Sequence, residues 1–283
     1  MKFLSKADIS PARSQKQKNR KQGENKVKIV IKVGSSTLTH TSGKLDFRMI
    51  DRLVRVIADI KNEGHQVVLV SSGAQVAGMS RLRLERKPDD ITKKQALAAV
   101  GQCELMAIYD RFFSDYGYNV GQILLNKQVI DIPALKENVT NTFNALLDYD
   151  CIPIVNENDS VEVEEIKIGE NDTLSALVAT FIGADQLIML TDVDAFYDGA
   201  PDDEGSRPIP VIETIDDRIR QLAGGAGSDK GTGGMFTKVS AADIATSAGI
   251  DVHIVYGKKP DLIYDVLDGK RAGTVFKKKK QEN

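Results

Sequence analysis

The sequence is short of several residue types, and each shortage removes a class of protein. Among 283 residues there are two cysteines, three histidines, eight prolines and no tryptophan. Cys103 and Cys151 both sit among apolar neighbours. They cannot build a disulfide framework, so a reducing, cytoplasmic setting is expected. His40, His65 and His253 are scattered and match no zinc or H-E-x-x-H spacing, so no metal ligand is read from them. No apolar run approaches the roughly 18 residues of a membrane helix. The first residues also lack the apolar core of a secretory signal. Three fingerprints are missing as well: G-x-x-x-x-G-K-[ST], G-x-G-x-x-G after the first strand, and G-x-S-x-G. P-loop, dinucleotide-binding and hydrolase-elbow chemistry are thereby set aside.

What is present is ordinary for a globular protein. Hydrophobic residues make up 41% and charged residues 28%, enough for one large core or two small ones. The charge is unevenly spread. Residues 1–26 carry eight Lys/Arg against two acids, and residues 277–283 carry four Lys against one Glu. Within a chain of net charge −2, that leaves about −11 on the 27–276 body. A body so acidic is a poor partner for nucleic acid, whose non-specific binding rests on neutralising phosphates. The division expected is a basic, solvated extension over 1–26, a folded domain over 27–276, and a Lys-rich tail over 277–283.

Within the body, apolar runs with strand character alternate with helical spacings. Strands are predicted at Val27–Val33, Val67–Val70, Gly121–Leu125, Cys151–Val155, Gln186–Thr191 and Val252–Val255. Helices are predicted at Arg48–Asn62, Lys136–Tyr149, Leu174–Ile182 and Met235–Ala248, with one long helix or a pair over Lys93–Tyr116. This alternation implies an α/β fold around a largely parallel sheet. Four strand ends carry polar or glycine-rich sequence: Lys32-Val33-Gly34-Ser35-Ser36, Ser71-Ser72-Gly73-Ala74, Asn156-Glu157-Asn158-Asp159 and Thr191-Asp192-Val193-Asp194. Open α/β sheets bind ligands outside the carboxyl ends of their strands, so one active edge is expected.

Three stretches on that edge suggest chemistry. Lys32 interrupts an apolar strand, where an ammonium either snorkels to water or meets an anion. The Gly34-Ser35-Ser36 that follows favours an anion, since small residues let backbone N–H groups face phosphate oxygens. Gly231-Thr232-Gly233-Gly234-Met235-Phe236-Thr237-Lys238 opens a helix with a cation. In the first turn such a charge opposes the helix dipole at a cost of about 0.3–1 kcal/mol, unless an anion is bound there. The two glycine loops and two lysines therefore suit a polyphosphate. The Asn/Asp-rich Asn156–Asp159 run, with Asn171 and Asp172 further on, mixes amide donors with carboxylate acceptors. That mixture suits a zwitterion, and Asp172 could pair with the clamp lysines.

These segments, in this order, resemble the glutamate 5-kinases of the amino acid kinase superfamily. The resemblance spans about residues 27–276. The lysine-glycine start and the Thr191-Asp192-Val193-Asp194 strand end are shared across the superfamily. The Asn156-Glu157-Asn158-Asp159 run with Asn171-Asp172, and the Gly231-Thr232-Gly233-Gly234-Met235 turn, are specific to glutamate 5-kinases. The resemblance implies a three-layer α/β/α sandwich and ATP-dependent phosphorylation of the glutamate side-chain carboxylate, the first step of proline biosynthesis. It implies catalytic roles for Lys32, Asp172 and Lys238, and glutamate binding by Ser72, Gly73, Asp159 and Asn171. Nucleotide binding falls to Lys32, Gly34, Thr191, Asp192, Thr232, Gly233, Gly234, Met235, Phe236, Thr237 and Lys238. ATP with Mg2+ is the implied cofactor, no dedicated metal residues being readable. Also implied are a homo-oligomer and proline as a candidate feedback inhibitor, with no nucleic acid or membrane partner.

Phe236 and Ala195 depart from the family pattern, where a small residue and a glycine are common. The C-terminal PUA domain carried by many members does not follow Phe276 here. Two alternatives stay open: another acyl-phosphate kinase of the N-acetylglutamate kinase or aspartokinase type, and a catalytically silent nucleotide or amino-acid sensor.

Overall fold

The computed structural model describes residues 26–126, 128–161, 171–224 and 233–279. The chain runs from β1 (Lys28–Val33) through a one-turn helix, α1 (Ser35–Leu38), to α2 (Phe47–Asn62) and β2 (Gln66–Ser71). It continues with α3 (Ala74–Leu82), α4 (Ile91–Asp115), β3 (Val120–Leu125), α5 (Gln128–Asp131), α6 (Pro133–Asp148) and β4 (Ile152–Glu157). Then come α7 (Asn171–Ile182), β5 (Gln186–Thr191) and the two-residue strands β6 (Phe196–Tyr197), β7 (Pro208–Ile209) and β8 (Val211–Ile212). The last described elements are α8 (Asp217–Gly224), α9 (Gly233–Ser247), β9 (Asp251–Tyr256), α10 (Leu262–Leu267) and β10 (Thr274–Phe276).

Eight strands form one sheet in the order β3-β4-β2-β1-β5-β9-β10-β8. Every pairing in it is parallel except β9 with β10. The expected three-layer arrangement follows from how the strand residues divide. Ile29, Ile31 and Val33 join one core with α2, α4 and α10, while Val30 joins the other with α7, α8 and α9. The period of two along a strand assigns Lys32 to the Val30 face. By the same count Thr191 shares a face with Leu187 and Met189, which belong to the α7–α9 core. The strand pleat thus delivers Lys32 to the helices that carry Asp172 and Lys238.

Several boundaries differ from the sequence reading, each for a packing reason. Asn156 and Glu157, expected just beyond β4, are its last two residues, paired with Leu124 and Leu125 of β3 and buried. Residues 91–115 are one helix, not two. Gly101 interrupts its apolar pattern because a Cβ there would lie 1.7 Å from the Ala74 carbonyl oxygen. Gly78 meets α4 just as closely, its Cβ falling 2.1 Å from the Leu97 carbonyl oxygen. Helices α3 and α4 therefore touch backbone to backbone, which only glycine allows.

Lys277–Lys279, expected to be solvated, are held against the domain. Their backbone N–H groups donate to the Ile212 carbonyl at 2.9 Å, Asp251 Oδ1 at 2.8 Å and the Thr246 carbonyl at 3.0 Å. The 1–25 extension and residues 280–283 lie outside the described residues.

Candidate active site

Asp172 is the centre of the predicted edge. It lies in the first turn of α7, where the helix dipole favours a negative charge, and it is fully buried. Lys32 Nζ meets its Oδ1 at 2.6 Å. Lys238 Nζ meets its Oδ2 at 3.3 Å, and the Thr237 hydroxyl donates to the same oxygen at 3.0 Å. Burial alone would push this carboxyl up. The charges of Lys32 and Lys238, with hydrogen bonds from Lys32 and Thr237, outweigh it and hold the group below the usual carboxylate range. Lys32 and Lys238 keep 7% and 8% of their surface exposed, so both are nearly immobilised. Two positive charges and one negative leave a net +1 with ammonium hydrogens available to the cleft.

Lys238 corrects the sequence reading by one turn. The helix starts at Gly233, so Lys238 stands in its second turn rather than its first. Its Nζ nonetheless reaches back to donate to the Gly234 carbonyl at 3.0 Å. Helical side chains lean toward the N-terminus, and this lean brings the charge to where the first turn begins.

Beside the lysines runs a row of amides. Asn171 Nδ2 donates to Ser72 Oγ at 2.7 Å and to Asn156 Oδ1 at 3.0 Å. Asn156 Nδ2 in turn donates to Gln102 Oε1 at 2.9 Å. Ser72 is carried on the turn between β2 and α3. Its neighbour Ser71 is fixed from below, 2.8 Å from the hydroxyl of Tyr109 on α4. Gly73, the α3 N-cap, has φ +105°, a left-handed conformation that glycine adopts without strain. Asp159 lies two residues beyond β4, in the turn that follows it, and lines the same space.

A cleft of about 420 Å³ gathers these groups. Lys32, Gly34, Ser35, Ser36, Ser72, Asn171, Asp159, Thr191, Asp192, Gly234 and Lys238 all line it. Gly34 precedes α1, and a Cβ there would sit 3.7 Å from Lys32 Nζ. The Thr191 hydroxyl donates to Asp192 Oδ1 at 2.9 Å. Three predicted nucleotide residues are placed otherwise. Met235 packs against the α7–α9 core. Phe236 is 53% exposed, turned to the outer side of α9. Thr237 faces Asp172 rather than the cleft wall. Gly233 opens α9, and Thr232 lies outside the described residues.

The sequence reading did not single out Gln102 or Tyr109, and it used Asn156 only as part of a motif. A buried-side apolar pattern with one glutamine or tyrosine resembles any amphipathic helix. Only the closeness of α4 to α3, signalled by Gly101, would have pointed to the edge.

A buried carboxylate between two lysines, at the carboxyl edge of a largely parallel sheet, makes a site suited to an anionic ligand in a protein of the α/β class. The sequence pattern of the amino acid kinase family matches residues 27–256, and the chain belongs to that family. Within it the chain groups with the glutamate 5-kinases. The glutamate 5-kinase of Clostridium perfringens is 49% identical over 268 residues, covering 93% of this chain and 100% of the relative. That of Clostridium acetobutylicum is 51% identical, covering 88% of this chain and 94% of the relative. Among solved structures, the carbamate kinase from Giardia lamblia bound to AMP-PNP superposes with a TM-score of 0.66 at 17% identity, covering 91% of this chain and 100% of that one. The isopentenyl phosphate kinase of T. acidophilum follows at 0.62 and 16%, covering 88% and 99%. At such identities the likeness bears on the fold alone.

Proposed function

We propose that this chain transfers the γ-phosphoryl group of ATP to the side-chain carboxylate of L-glutamate, yielding L-glutamyl 5-phosphate and ADP, the first step of proline biosynthesis. The observation that carries the reading is the Lys32–Asp172–Lys238 cluster opening onto the same cleft as Ser72, Asn171 and Asp159. The names and identities of its relatives support the substrate.

The chemistry asks little of acid or base. A carboxylate is already a nucleophile, so one of its oxygens attacks the γ-phosphorus directly. The bond from that phosphorus to the β-bridging oxygen breaks, its electron pair goes to ADP, and no proton moves. The obstacle is repulsion between two anions, and the protein's contribution is alignment and neutralisation. Lys32 from β1 and Lys238 from α9 approach from two sides, and Asp172 holds both in place before substrate arrives. Preorganised charges of this kind act at no reorganisation cost in the transition state. As compact point charges, ammonium groups stay paired with the phosphoryl oxygens through transfer. Asp159 accepts from the α-ammonium, and Ser72 and Asn171 fix the body of the amino acid. Thr191, Asp192, Gly34 and the start of α9 form the nucleotide side.

Among the described residues no three His, Cys, Asp or Glu side chains converge on one point. Mg2+ would enter with ATP and keep phosphate and water ligands, and Asp192, the carboxylate on the nucleotide side of the cleft, would hold it. Bound so, the ion neutralises phosphate charge. A cytoplasmic, homo-oligomeric enzyme sensitive to proline completes the proposal. Among the described residues no helix is long and apolar enough to cross a membrane.

The test is ADP release with hydroxylamine capture of the acyl phosphate across a substrate panel. Hydroxamate from glutamate, at rates far above those from N-acetylglutamate or aspartate, is the expected result. Nucleotide binding without turnover on any of the three would refute the proposal.

A further inference from the structure

The amide row beside the lysines has a fixed polarity, and its two ends are unsatisfied. A backbone N–H can only donate, and that of Glu157 meets Asn156 at 2.9 Å. The atom it meets is therefore the oxygen, Oδ1, which settles the orientation of the Asn156 amide. Asn156 Nδ2 must then be the donor toward Gln102, and the Gln102 atom it touches must be Oε1. At the other side Asn171 reaches the same Asn156 oxygen, so it does so through Nδ2. One main-chain N–H thus orients three side-chain amides in series.

The consequence lies at the ends. Gln102 Nε2 and Asn171 Oδ1 are both buried and have no hydrogen-bond partner among the described residues. One end of the row is an unused donor and the other an unused acceptor. Native proteins rarely bury such groups without a use, since each costs its full desolvation penalty. Gln102 is 8% exposed and lines a second chamber of about 380 Å³. This chamber shares Glu157 and Asp159 with the lysine cleft, so the two spaces meet at those residues.

We propose that Gln102 is a substrate-binding residue that selects the α-carboxylate of glutamate through its Nε2, while Asn171 Oδ1 accepts from the α-ammonium. The inference rests on the glutamate reading above and deepens it. With the reacting carboxylate at Lys32 and Lys238, the amino-acid head extends past Asn171 toward Asp159 and into the second chamber. There the head must find a donor for its carboxylate. A lysine or arginine in that place would be captured by Glu157 or Asp159. A neutral amide cannot be neutralised by those acids, and its oxygen is already committed to Asn156. Its N–H is therefore kept for a ligand acceptor.

Gln102→Glu tests this while preserving shape. The variant retains an acceptor for Asn156 but replaces the donor with an oxygen that repels a carboxylate. The probes are L-glutamate and its α-carboxamide, which has an NH2 where glutamate has an α-carboxylate oxygen. Assayed at pH 8.5, the ratio of kcat/KM for glutamate to that for the α-carboxamide should fall about tenfold to a hundredfold in the variant. The KM for ATP should stay within about twofold. A ratio unchanged within about threefold, or a folded variant inactive on both probes, overturns the assignment. If Gln102→Glu does not fold, as judged by its melting transition, Gln102→Met removes the donor without adding charge and must also lower the ratio. Wild-type protein that fails to phosphorylate glutamate at all would overturn the functional reading instead.

Discussion

Lys32 Nζ and Asp172 Oδ1 stand 2.6 Å apart, joining the end of a central strand to the first turn of the helix packed over it. The contact connects the sheet pleat to the chemistry. β1 alternates its residues between two cores, and the position sharing the Val30 face at the carboxyl end faces α7. A lysine there meets a carboxylate stabilised by its own helix dipole. Lys238 then completes the set from α9, so that no member of the cluster is positioned by a loop alone.

Lys238→Met should lower kcat about 10²–10³-fold while changing KM for either substrate far less. The basis is that the lysine is held by Gly234 and Asp172 before substrate binds, so its contact strengthens as charge moves. Steady-state kinetics with both substrates checks this. A rise confined to the KM for ATP would mean that Lys238 binds ground and transition states equally.

Asp159→Asn removes a charge with little change of shape. A hydrogen bond to a charged group contributes about 1.5–3 kcal/mol, so the KM for glutamate should rise roughly tenfold to a hundredfold. ATP should be little affected. Glutarate, which lacks the amine, should be a poor substrate of the wild type and should lose comparatively little in the variant. Equal losses on glutamate and glutarate would show that Asp159 does not read the ammonium.

Gly101→Ala sets two effects against each other. Helix propensity alone would favour alanine by about 1 kcal/mol. A Cβ 1.7 Å from the Ala74 carbonyl oxygen cannot be accommodated without separating α3 from α4, and such overpacking costs about 1–3 kcal/mol or more. Sterics should win. A lower Tm by calorimetry is expected, with a raised KM for glutamate because Gln102 and Tyr109 ride on the displaced helix. An unchanged or higher Tm would contradict the close approach.

His253 on β9 should govern the first loss of stability on acidification. Burial drives its imidazole down to about 4; nearby Asp251 opposes this and Lys277 reinforces it. Below the ordinary value of 6.5 the unfolded chain takes up a proton that the folded chain refuses until about pH 4. Stability contributed above pH 6.5 is therefore lost as pH falls through that window. Tm measured from pH 7 to pH 4 should decline in the wild type and decline less in His253→Gln. The Asp172 contribution disappears at still lower pH, because its carboxyl is held below the usual range. Parallel curves for wild type and His253→Gln would rule out the histidine as the cause.

The sequence made the sheet legible because parallel strands buried on both faces read as short continuous apolar runs, as at Val67–Val70 and Leu187–Leu190. Lys32 and Lys238 were legible because each breaks a local rule, a charge in an apolar strand or a cation near a helix start, and Asp172 because it follows the Asn/Asp-rich motif. Gln102 breaks none. A glutamine costs a helix almost nothing, and its meaning comes from a partner 54 positions away. Residues Asn156 and Glu157 were read as loop because polar side chains seldom end a buried strand. The paired β3 and the amide row are what let these do so. The anchoring of Lys277–Lys279 was hidden for a related reason. Half of it is made by backbone N–H groups, which carry no sequence signature, and half by ammonium groups that reach Asp251, Asp243 and Ser247 far back in the chain.

The lysine that begins this cluster and the one that ends it are 206 positions apart in the chain, at 32 and 238. As the polypeptide emerges during synthesis, β1, β2 and α7 can assemble while the last charge is still to come. Until α9 docks, Asp172 has one partner instead of two, and the cleft lacks one of its walls. The proposed phosphoryl transfer thus waits on α9, and a nascent or truncated chain that stops short of it lacks Lys238 together with strands β9 and β10 of the sheet.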